Sequence, residues 1–337
     1  MKRINGLFEP ILRFDNLVRA ADKAAMGKRQ KPAVARFLFN LEPELLRLQE
    51  DLENGTYQPG RYVVFEIRDP KKRRICAAPF RDRVVHHAIC NILEHFFEKR
   101  LIFDTYACRT GKGVHAAIDR AHQFARSHSY YLKCDIRRYF ENIDHKKLKA
   151  LLRRFIKDCR LLALLDIIVD HSPPYTEPGR GLPIGNLTSQ HFANLYLGEL
   201  DHYAKEQVRL RGYIRYMDDL LLFAGNKPAL HEAALEIKRF TRDKLGLIVK
   251  EKSICLAPVT EGIPFLGVRI FPSTVRLNHR SLRRFRRKMK AAEEEYLNGK
   301  IDADQLAAVV ASLFGHLCQA DTLHLRRNLI RSTLIPG

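Results

Sequence analysis

The spacing of apolar residues along the chain predicts both strands and helices. Apolar runs of strand length lie at residues 130–136, 213–217, 220–224, 247–258 and 265–271. Over residues 144–158 and 189–207 the apolar positions follow the helical period instead. Because only two residues separate the runs at 213–217 and 220–224, these two strands can pair only in antiparallel fashion. The pattern therefore predicts a mixed α+β fold rather than a doubly wound parallel sheet.

The two ends of the chain are predicted to be mostly helical. Residues 1–128 follow a helical pattern that is interrupted by one β-hairpin, whose turn is formed by residues 69–72. The C-terminal residues are again helical and rich in Lys and Arg. We therefore expect three parts, at residues 1–128, 129–275 and 276–337.

The charge of the chain indicates the class of its partner. Lys and Arg number 59 and Asp and Glu number 38, so the formal net charge of the 337 residues is +21. Such a charge favours a polyanion as partner, and nucleic acid is the usual one. Basic residues cluster within residues 68–74 and 276–290. A membrane surface or a simple gain in solubility would be the alternative use of this charge.

Composition excludes several other classes of protein. A hydrophobic content of 46% excludes a disordered tail or a collagen, and no apolar run reaches the roughly 18 residues of a membrane span. The seven cysteines include no CxxC pair and no close Cys/His pair, which is typical of reduced thiols and argues against a zinc site. The first residues do not have the pattern of a secretion signal. We expect a cytoplasmic protein without a membrane partner.

Carboxylates stand where the two closely spaced strands are joined. Asp218 and Asp219 occupy a connection that normally takes Asn-Gly or Asp-Gly. Adjacent carboxylates repel each other, and a local rule broken in this way is expected at a functional site. Asp135 ends the strand predicted at residues 130–136. If that strand pairs beside the hairpin, three carboxylates converge, and two Mg²⁺ ions could neutralise them and support phosphoryl transfer. For Asp218 and Asp219 alone, a solvated turn is the alternative.

Seven short motifs, in the family's order, resemble those of reverse transcriptases. They are Arg74-Ile75 with residues 82–85, residues 106–111, residues 135–143, residues 181–190, residues 216–219, residues 247–253 and a hairpin motif at residues 265–267. The resemblance implies an RNA-directed DNA polymerase with the right-hand fold and two Mg²⁺ ions. It places fingers at residues 1–128 with a return near 150–187, a palm of antiparallel sheet plus helices at 129–275, and a short helical thumb at 276–337.

The resemblance also implies roles for individual residues. Asp135, Asp218 and Asp219 would be the catalytic metal ligands. The residues implied in nucleotide binding are Arg74, Lys71, Ile136, Phe140, Ile184, Gly185, Gln190 and Lys252. The residues implied in nucleic-acid binding are Tyr216, Met217, Arg283, Arg284, Arg287 and Lys288. Tyr139 is an alternative to Phe140. Plain phosphate-backbone binding is the alternative role of Arg74 and Lys71, and helix-stabilising surface charge is the alternative for the basic residues at 283–288.

The motif at residues 181–190 departs from the pattern of most reverse transcriptases. Most members carry Gln before the glycine and end the motif with Ser-Pro, whereas here Ile184 precedes Gly185 and Gln190 follows Ser189. This form resembles the reverse transcriptases of diversity-generating retroelements, which are found in bacteria and phages. The resemblance implies mutagenic retrohoming, in which a template RNA is copied with errors opposite adenine. Loss of the glutamine's hydrogen bond would weaken discrimination between bases, and simple repacking around Ile184 is the alternative.

The same resemblance implies a set of partners, and other interpretations stay open beside it. The implied partners are a template RNA, a cDNA/RNA hybrid, dNTPs and a small basic helical accessory protein that forms a ring. A retron, group II intron-derived or CRISPR-associated reverse transcriptase would share the activity with other partners. A nucleotide cyclase or another palm-domain nucleotidyltransferase would need neither the fingers motifs nor the Arg-rich helix. An inactive RNA-binding scaffold would need a defect elsewhere in the chain, because all three carboxylates are present.

Overall fold

A computed structural model describes residues 3–68, 72–318 and 320–333. Within these residues the helices are α1 (Phe8–Leu12), α2 (Phe14–Ala25), α3 (Pro32–Phe39), α4 (Leu41–Glu53), α5 (Phe80–Glu98), α6 (Val114–Ser127), α7 (Tyr139–Asn142), α8 (His145–Phe155), α9 (Cys159–Asp170), α10 (Leu187–His202), α11 (Lys227–Asp243), α12 (His279–Leu297), α13 (Ala303–Leu317) and α14 (Leu323–Thr333). The strands are β1 (Val63–Arg68), β2 (Lys72–Ala77), β3 (Tyr130–Asp135), β4 (Gly212–Tyr216), β5 (Asp219–Ala224), β6 (Cys255–Pro258), β7 (Ile263–Phe265), β8 (Val268–Ile270) and β9 (Val275–Leu277).

The chain divides into two compact units, each assembled from separate stretches of sequence. Unit 1 comprises the described residues of Met1–Phe103, Ile136–Gln207 and Glu236–Lys250. Unit 2 comprises the described residues of Asp104–Asp135, Val208–Leu235 and Glu251–Gly337. The division into three parts that the sequence predicts stays a prediction. In the described residues of both units, no helix combines the length and the apolar content that crossing a membrane requires.

Unit 2 contains a four-stranded sheet in the order β4-β5-β3-β6, in which every neighbouring pair is antiparallel. Alternate side chains of its strands enter an apolar core, as Tyr131, Ile214, Leu221 and Phe223 do. Helix α6 contributes small and apolar residues to the same core. The antiparallel pairing predicted for residues 213–217 and 220–224 is confirmed, and so is the α+β class.

A three-stranded antiparallel sheet, in the order β7-β8-β9, follows in unit 2, and two strand predictions are wrong near it. The run at residues 247–258 is not one strand, because the consecutive polar residues of Glu251–Ser253 form a 3₁₀ turn and only Cys255–Pro258 joins a sheet. The run at residues 265–271 is not one strand either. Leu266 and Gly267 have φ angles of +45° and +91° and reverse the chain between β7 and β8, as the hairpin motif at residues 265–267 implies.

Unit 1 is mainly helical, with α5 packed between α2 and α10. Its core includes Leu17 of α2, Val85 and Ile89 of α5, and Leu197 of α10, which are all fully buried. The helices predicted at residues 144–158 and 189–207 are confirmed as α8 and α10. A π-helix at Tyr203–Gln207 continues α10 over the last residues of the second prediction.

The predicted hairpin near the start of the chain is also confirmed, and it lies in unit 1. Strands β1 and β2 pair in antiparallel register from Val63 opposite Ala77 to Arg68 opposite Lys72. Residues 69–71 of its turn, including the predicted site residue Lys71, lie outside the described residues. Strand β1 is exposed over its whole length, so both its polar and its apolar side chains are accessible.

Candidate active site

The turn between β4 and β5 holds two of the predicted carboxylates. Tyr216 pairs with Asp219, so Met217 and Asp218 alone form the connection. Met217 has a φ of +55°, a conformation that glycine normally supplies at the first position of such a turn. A larger residue in this conformation costs on the order of 1 kcal/mol or more. The turn is therefore strained at the residue immediately before Asp218.

The neighbouring strand brings a third carboxylate to the same end of the sheet. Asp135 on β3 lies directly opposite Asp219 on β5 in the antiparallel register. The carboxyl groups of Asp135 and Asp218 share a hydrogen bond, and the charge of Asp219 also acts on Asp218. The three predicted aspartates thus lie together at one end of the four-stranded sheet of unit 2.

A lysine accompanies this group of carboxylates. Lys133 precedes Asp135 by two residues on β3, so both side chains leave the same face of the strand. Its Nζ lies 3.6 Å from Oδ1 of Asp219 and donates a hydrogen bond of 3.1 Å to the carbonyl oxygen of Pro264. The ammonium group of Lys133 offsets part of the negative charge of the three carboxylates and attracts the carboxylate of Asp219.

The pKa of the Asp218 carboxyl group is raised in this site. Burial, followed by repulsion from Asp135, raises the pKa of Asp218 from 3.8 to about 7. The backbone N–H of Asp218 donates to that residue's own carboxylate and opposes the rise. At neutral pH the site therefore has too little positive charge to keep the carboxyl group of Asp218 fully ionised.

The donor set fits Mg²⁺. Asp135 and Asp218 offer hard carboxylate oxygens in contact with each other, and Mg²⁺ is commonly held by one or two carboxylates with water and substrate phosphates completing its shell. Among the described residues, no three His, Cys, Asp or Glu side chains are grouped as a complete metal site. The protein's share of a Mg²⁺ site would thus be the Asp135 and Asp218 pair, with Asp219 beside it.

The residues that follow Asp135 belong to unit 1. Ile136 is buried and bridges to Val249. Tyr139 is buried too, and its hydroxyl donates a hydrogen bond to the carbonyl oxygen of Ala193. Phe140 is only half-buried. Accessibility therefore favours Phe140 over Tyr139 as the ring that the resemblance assigns to the nucleotide.

Arg74 lies on β2 of the hairpin, opposite Glu66. Its Nε is 3.8 Å from Oε1 of Glu66, and its guanidinium carbon lies 5.0 Å from the centre of the Tyr175 ring. The side chain nevertheless remains 53% exposed. Glu66 and the ring of Tyr175 lie on one side of the guanidinium group, and the rest of the side chain stays accessible to an anion in solution.

Ile184 and Gly185 run against the end of β2 in unit 1. The backbone N–H of Cys76 donates a hydrogen bond of 2.9 Å to the carbonyl oxygen of Ile184. Gly185 has a φ of +129°, and a Cβ at this position would stand 2.8 Å from the carbonyl oxygen of Cys76. Only glycine fits this close approach of two backbones. The side chain of Ile184 is half-buried.

Gln190 lies in the first turn of α10 and is half-buried. Together with Gly185 it lines a cavity of about 170 Å³ in unit 1. The same cavity is lined by the basic residues Lys23, Lys28 and Arg83. Gln190 therefore faces a basic environment within its own unit.

The remaining predicted residues lie in unit 2. Lys252 is exposed on the 3₁₀ turn at Glu251–Ser253. Tyr216 and Met217 are half-buried at the β4–β5 turn. On helix α12, Arg283, Arg287 and Lys288 are exposed and Arg284 is half-buried. This helix therefore presents several cations to the surroundings.

Comparison with protein families shows one match that covers most of these elements. Residues 67–270, from β1 to β8, match the family described as reverse transcriptase (RNA-dependent DNA polymerase). The chain belongs to this family. The reverse transcriptase match contains all three aspartates and the β4–β5 turn.

The chain is similar to several known proteins, among them one that is encoded by a group II intron. It is 28% identical to the group II intron-encoded protein LtrA of Lactococcus lactis over 169 residues, 48% of this chain and 28% of that protein. It is 26% identical to protein YkfC of Escherichia coli over 276 residues, 68% of this chain and 72% of that protein. The matched part thus corresponds to little more than a quarter of LtrA.

A solved structure supports this fold. The apo telomerase of Candida tropicalis superimposes with a TM-score of 0.51 at 10% identity, over 66% of this chain and 49% of that chain. An identity this low carries information about the fold alone.

Two basic residues beside the three aspartates are not part of the pattern that identified those carboxylates. Lys133 contacts Asp219, and Arg215 on β4 donates a hydrogen bond to the turn residue Met217. Each is a charged residue inside an otherwise apolar strand, and that exception to the alternating pattern is the signal that could have identified them.

Proposed function

We propose that this chain is an RNA-directed DNA polymerase that copies a template RNA into cDNA from dNTPs. The observation that carries the proposal is the register in which Asp135 lies opposite Asp219, with Asp218 hydrogen-bonded to Asp135. Membership of the reverse transcriptase family supports it.

In the proposed mechanism, Asp135 and Asp218 hold two Mg²⁺ ions together with Asp219. Bound Mg²⁺ would stabilise charge on the attacking and leaving oxygens during phosphoryl transfer. Positive charge at the site would keep Asp218 ionised at neutral pH, since it offsets the burial and the repulsion that raise the pKa of this residue. Lys133 would hold Asp219 in a fixed position beside the other two carboxylates.

Nucleotide binding is assigned to accessible residues of the matched motifs. The exposed guanidinium of Arg74 would bind the triphosphate. Phe140 would pack against the sugar and exclude a 2′-hydroxyl, because its ring is accessible while that of Tyr139 is buried. The other residues assigned to the nucleotide are Lys71, Ile136, Ile184, Gly185, Gln190 and Lys252.

The nucleic acid itself would contact the β4–β5 turn and helix α12. Tyr216 and Met217 would meet the primer end, since they adjoin Asp218. The basic side chains of α12 would follow a duplex backbone, where each neutralised phosphate releases counterions. These side chains are Arg283, Arg284, Arg287 and Lys288.

Primer extension tests the proposed activity directly. The full chain should extend a DNA primer on an RNA template when Mg²⁺ and dNTPs are present. Asp218→Ala should lower the rate at least about 100-fold, because it removes a metal ligand. Asp243→Ala is the matched control, since Asp243 is an exposed aspartate paired with Arg242. Absence of extension by the wild-type chain, alone or with added partners, would contradict the proposal.

For the biological role, we propose the diversity-generating type. The proposal rests on Ile184 and Gln190 in the motif at residues 181–190. An isoleucine can offer the incoming nucleotide contact but no hydrogen bond, which lowers the geometric discrimination between bases by about 1 kcal/mol. The proposed partners are a template RNA, the cDNA/RNA hybrid and a small basic ring-forming accessory protein.

A group II intron-derived reverse transcriptase is the second candidate for this role. The similarity to LtrA, which is a group II intron-encoded protein, favours it. The two candidates share the polymerase reaction and differ in the template and in the distribution of errors.

Sequencing of the cDNA distinguishes the two roles. In the diversity-generating type, errors should concentrate opposite template adenines, and Ile184→Gln should lower their frequency several-fold by restoring a hydrogen bond of about 1 kcal/mol. Ile184→Leu is the control, because it keeps an apolar side chain of the same size. Errors spread evenly over the four bases would favour the group II type, and an unchanged spectrum in Ile184→Gln would reject the role given to Ile184.

A further inference from the structure

The turn that carries Asp218 is backed by a buried guanidinium. Arg215 on β4 has an exposed fraction of 0% and belongs to the largest fully buried side chains of the described residues. Its Nη1 donates a hydrogen bond of 3.1 Å to the carbonyl oxygen of Met217. A guanidinium keeps its charge when buried, and an apolar side chain of similar size could fill the same space at lower cost. The position of this charge therefore calls for an explanation beyond packing.

One peptide group connects Arg215 to Asp218. The carbonyl of Met217 and the N–H of Asp218 belong to the same planar unit. Arg215 holds the oxygen end of this unit, and the N–H end donates to the Asp218 carboxylate. A hydrogen bond from a cation to the oxygen also polarises the peptide and strengthens the bond that its N–H donates. The orientation set by Arg215 is thus passed on to the carboxylate.

The conformation of Met217 makes this support necessary. Its φ of +55° is one that a side chain other than glycine rarely adopts, and such conformations persist only where the surroundings hold them. Without the hydrogen bond from Arg215, rotation of the peptide between Met217 and Asp218 would relieve the strain. That rotation would also turn the N–H away from the Asp218 carboxylate.

We propose that Arg215 is a positioning residue, which fixes the peptide between Met217 and Asp218 and thereby holds the Asp218 carboxylate in the orientation that binds a divalent cation. The proposal rests on the proposed function, since it assumes that Asp218 is a metal ligand. Arg215 itself touches neither the metal nor the nucleotide in this mechanism.

Binding of Mn²⁺ to the full chain, followed by the electron paramagnetic resonance of the free ion, tests the proposal without any need for catalysis. Arg215→Met removes the donor at similar length and should raise the dissociation constant for Mn²⁺ about tenfold or more, as loss of a residue that orients a metal ligand commonly does. Arg215→Lys keeps the charge but not the planar fork, and it should raise the constant about threefold. The concentration of Mg²⁺ that gives half-maximal primer extension should rise in the same order.

A destabilised control separates positioning from general loosening of the sheet. Leu222 on β5 is fully buried and pairs with Tyr213 and Leu132, away from the turn. Leu222→Ala should lower the midpoint of thermal unfolding while leaving Mn²⁺ affinity unchanged. In an Asp218→Ala background, Arg215→Lys should have no further effect on Mn²⁺ affinity, because the carboxylate that it positions is gone.

The outcomes distinguish this inference from the proposed function. A folded Arg215→Met chain that binds Mn²⁺ like the wild type would overturn the role of Arg215, and so would a Leu222→Ala chain that loses affinity equally. Should Arg215→Met not fold, the Arg215→Lys variant provides the test. A wild-type affinity of Arg215→Lys for Mn²⁺ would reject the proposal. An equal loss of Mn²⁺ affinity in the presence and in the absence of Asp218 would also reject it. A wild-type chain that neither binds Mn²⁺ nor extends a primer would instead reject the proposed function.

Discussion

At Asp218, burial and the neighbouring Asp135 favour the protonated carboxyl group, while the backbone N–H of Asp218 favours the carboxylate. The first two effects win, and the pKa of Asp218 rises from 3.8 to about 7. A carboxyl group with a raised pKa in the folded state contributes stability below its unfolded pKa and loses it as the pH rises through the folded value. In the absence of a cation, the folded chain should therefore become less stable between about pH 4 and pH 7 on account of this one residue.

Asp218→Asn should remove this dependence on pH. With a chelator present, we expect the variant to be more stable than the wild type at pH 8 by about 1–3 kcal/mol, allowing for partial exposure of the group, and equally stable near pH 4. Urea unfolding between pH 4 and pH 8 measures the difference. Added Mg²⁺ should stabilise only the wild type. The control Asp243→Asn should lack this gain, because Arg242 lowers the pKa of the exposed Asp243. A wild-type advantage at pH 8 in chelator would contradict the prediction.

The three aspartates could be given a role from the sequence, whereas Lys133 and Arg215 could be noticed only as charged residues inside apolar strands. Asp218 and Asp219 break a local rule of turn chemistry, and Asp135 ends a strand, so short-range reasoning finds them. The role of Lys133 depends on which strand pairs with β3, and the role of Arg215 depends on the conformation of the turn that follows it. Neither the pairing of distant strands nor the φ of +55° at Met217 follows from the apolar pattern of a segment.

Among the elements of unit 1, helices α1 and α9 are joined by one buried carboxylate. Oδ2 of Asp158 accepts hydrogen bonds from the backbone N–H groups of Leu7 and Phe8, both at 2.9 Å. Its Oδ1 accepts from the N–H of Leu161 and caps α9. One side chain thus satisfies donors at the beginning of two helices that lie about 150 residues apart in the sequence.

Asp158→Ala should therefore cost about 2–4 kcal/mol, since it leaves buried backbone donors without their acceptor. Urea unfolding measures the loss, and hydrogen exchange at Leu7 and Phe8 should accelerate. Asp144→Ala is the matched control, because Asp144 caps α8 through a single bond of 3.0 Å to the N–H of Lys147 and should cost only about 1 kcal/mol. Equal losses in the two variants would show that Asp158 acts as a cap alone.

Elements were predictable where one period extends over a whole element, and less so where the chain turns within an apolar run. Helix α8 keeps one apolar face throughout, whereas α10 is buried on nearly all sides, and both match their predicted ranges closely. The run at residues 247–258 is interrupted by a 3₁₀ turn at its polar residues 251–253, and the run at residues 265–271 contains a two-residue reversal that its apolar composition hides. Positive φ at Leu266 was not predictable, because turns rarely place leucine there.

For the whole molecule, composition was more informative than periodicity. A formal net charge of +21 indicated a polyanionic partner, and the family match is consistent with that inference. The division into two units was not predictable from local patterns, because each unit combines segments from distant parts of the chain. Periodicity reports which face of an element is buried but not which distant segment covers it.

The charge of helix α12 should determine how salt affects nucleic-acid binding by the full chain. Each cation that contacts a phosphate contributes about 0.7–0.9 to the slope of the logarithm of the binding constant against that of the salt concentration. Arg287→Ala should therefore lower the magnitude of this slope by about that amount, with a similar loss of affinity for every template sequence. Fluorescence anisotropy of a labelled primer and RNA template between 50 and 300 mM salt would measure it. The control Lys300→Ala removes an exposed charge beyond the end of α12 and should leave the slope unchanged. An identical slope for Arg287→Ala and the wild type would show that the exposed face of α12 does not contact the backbone.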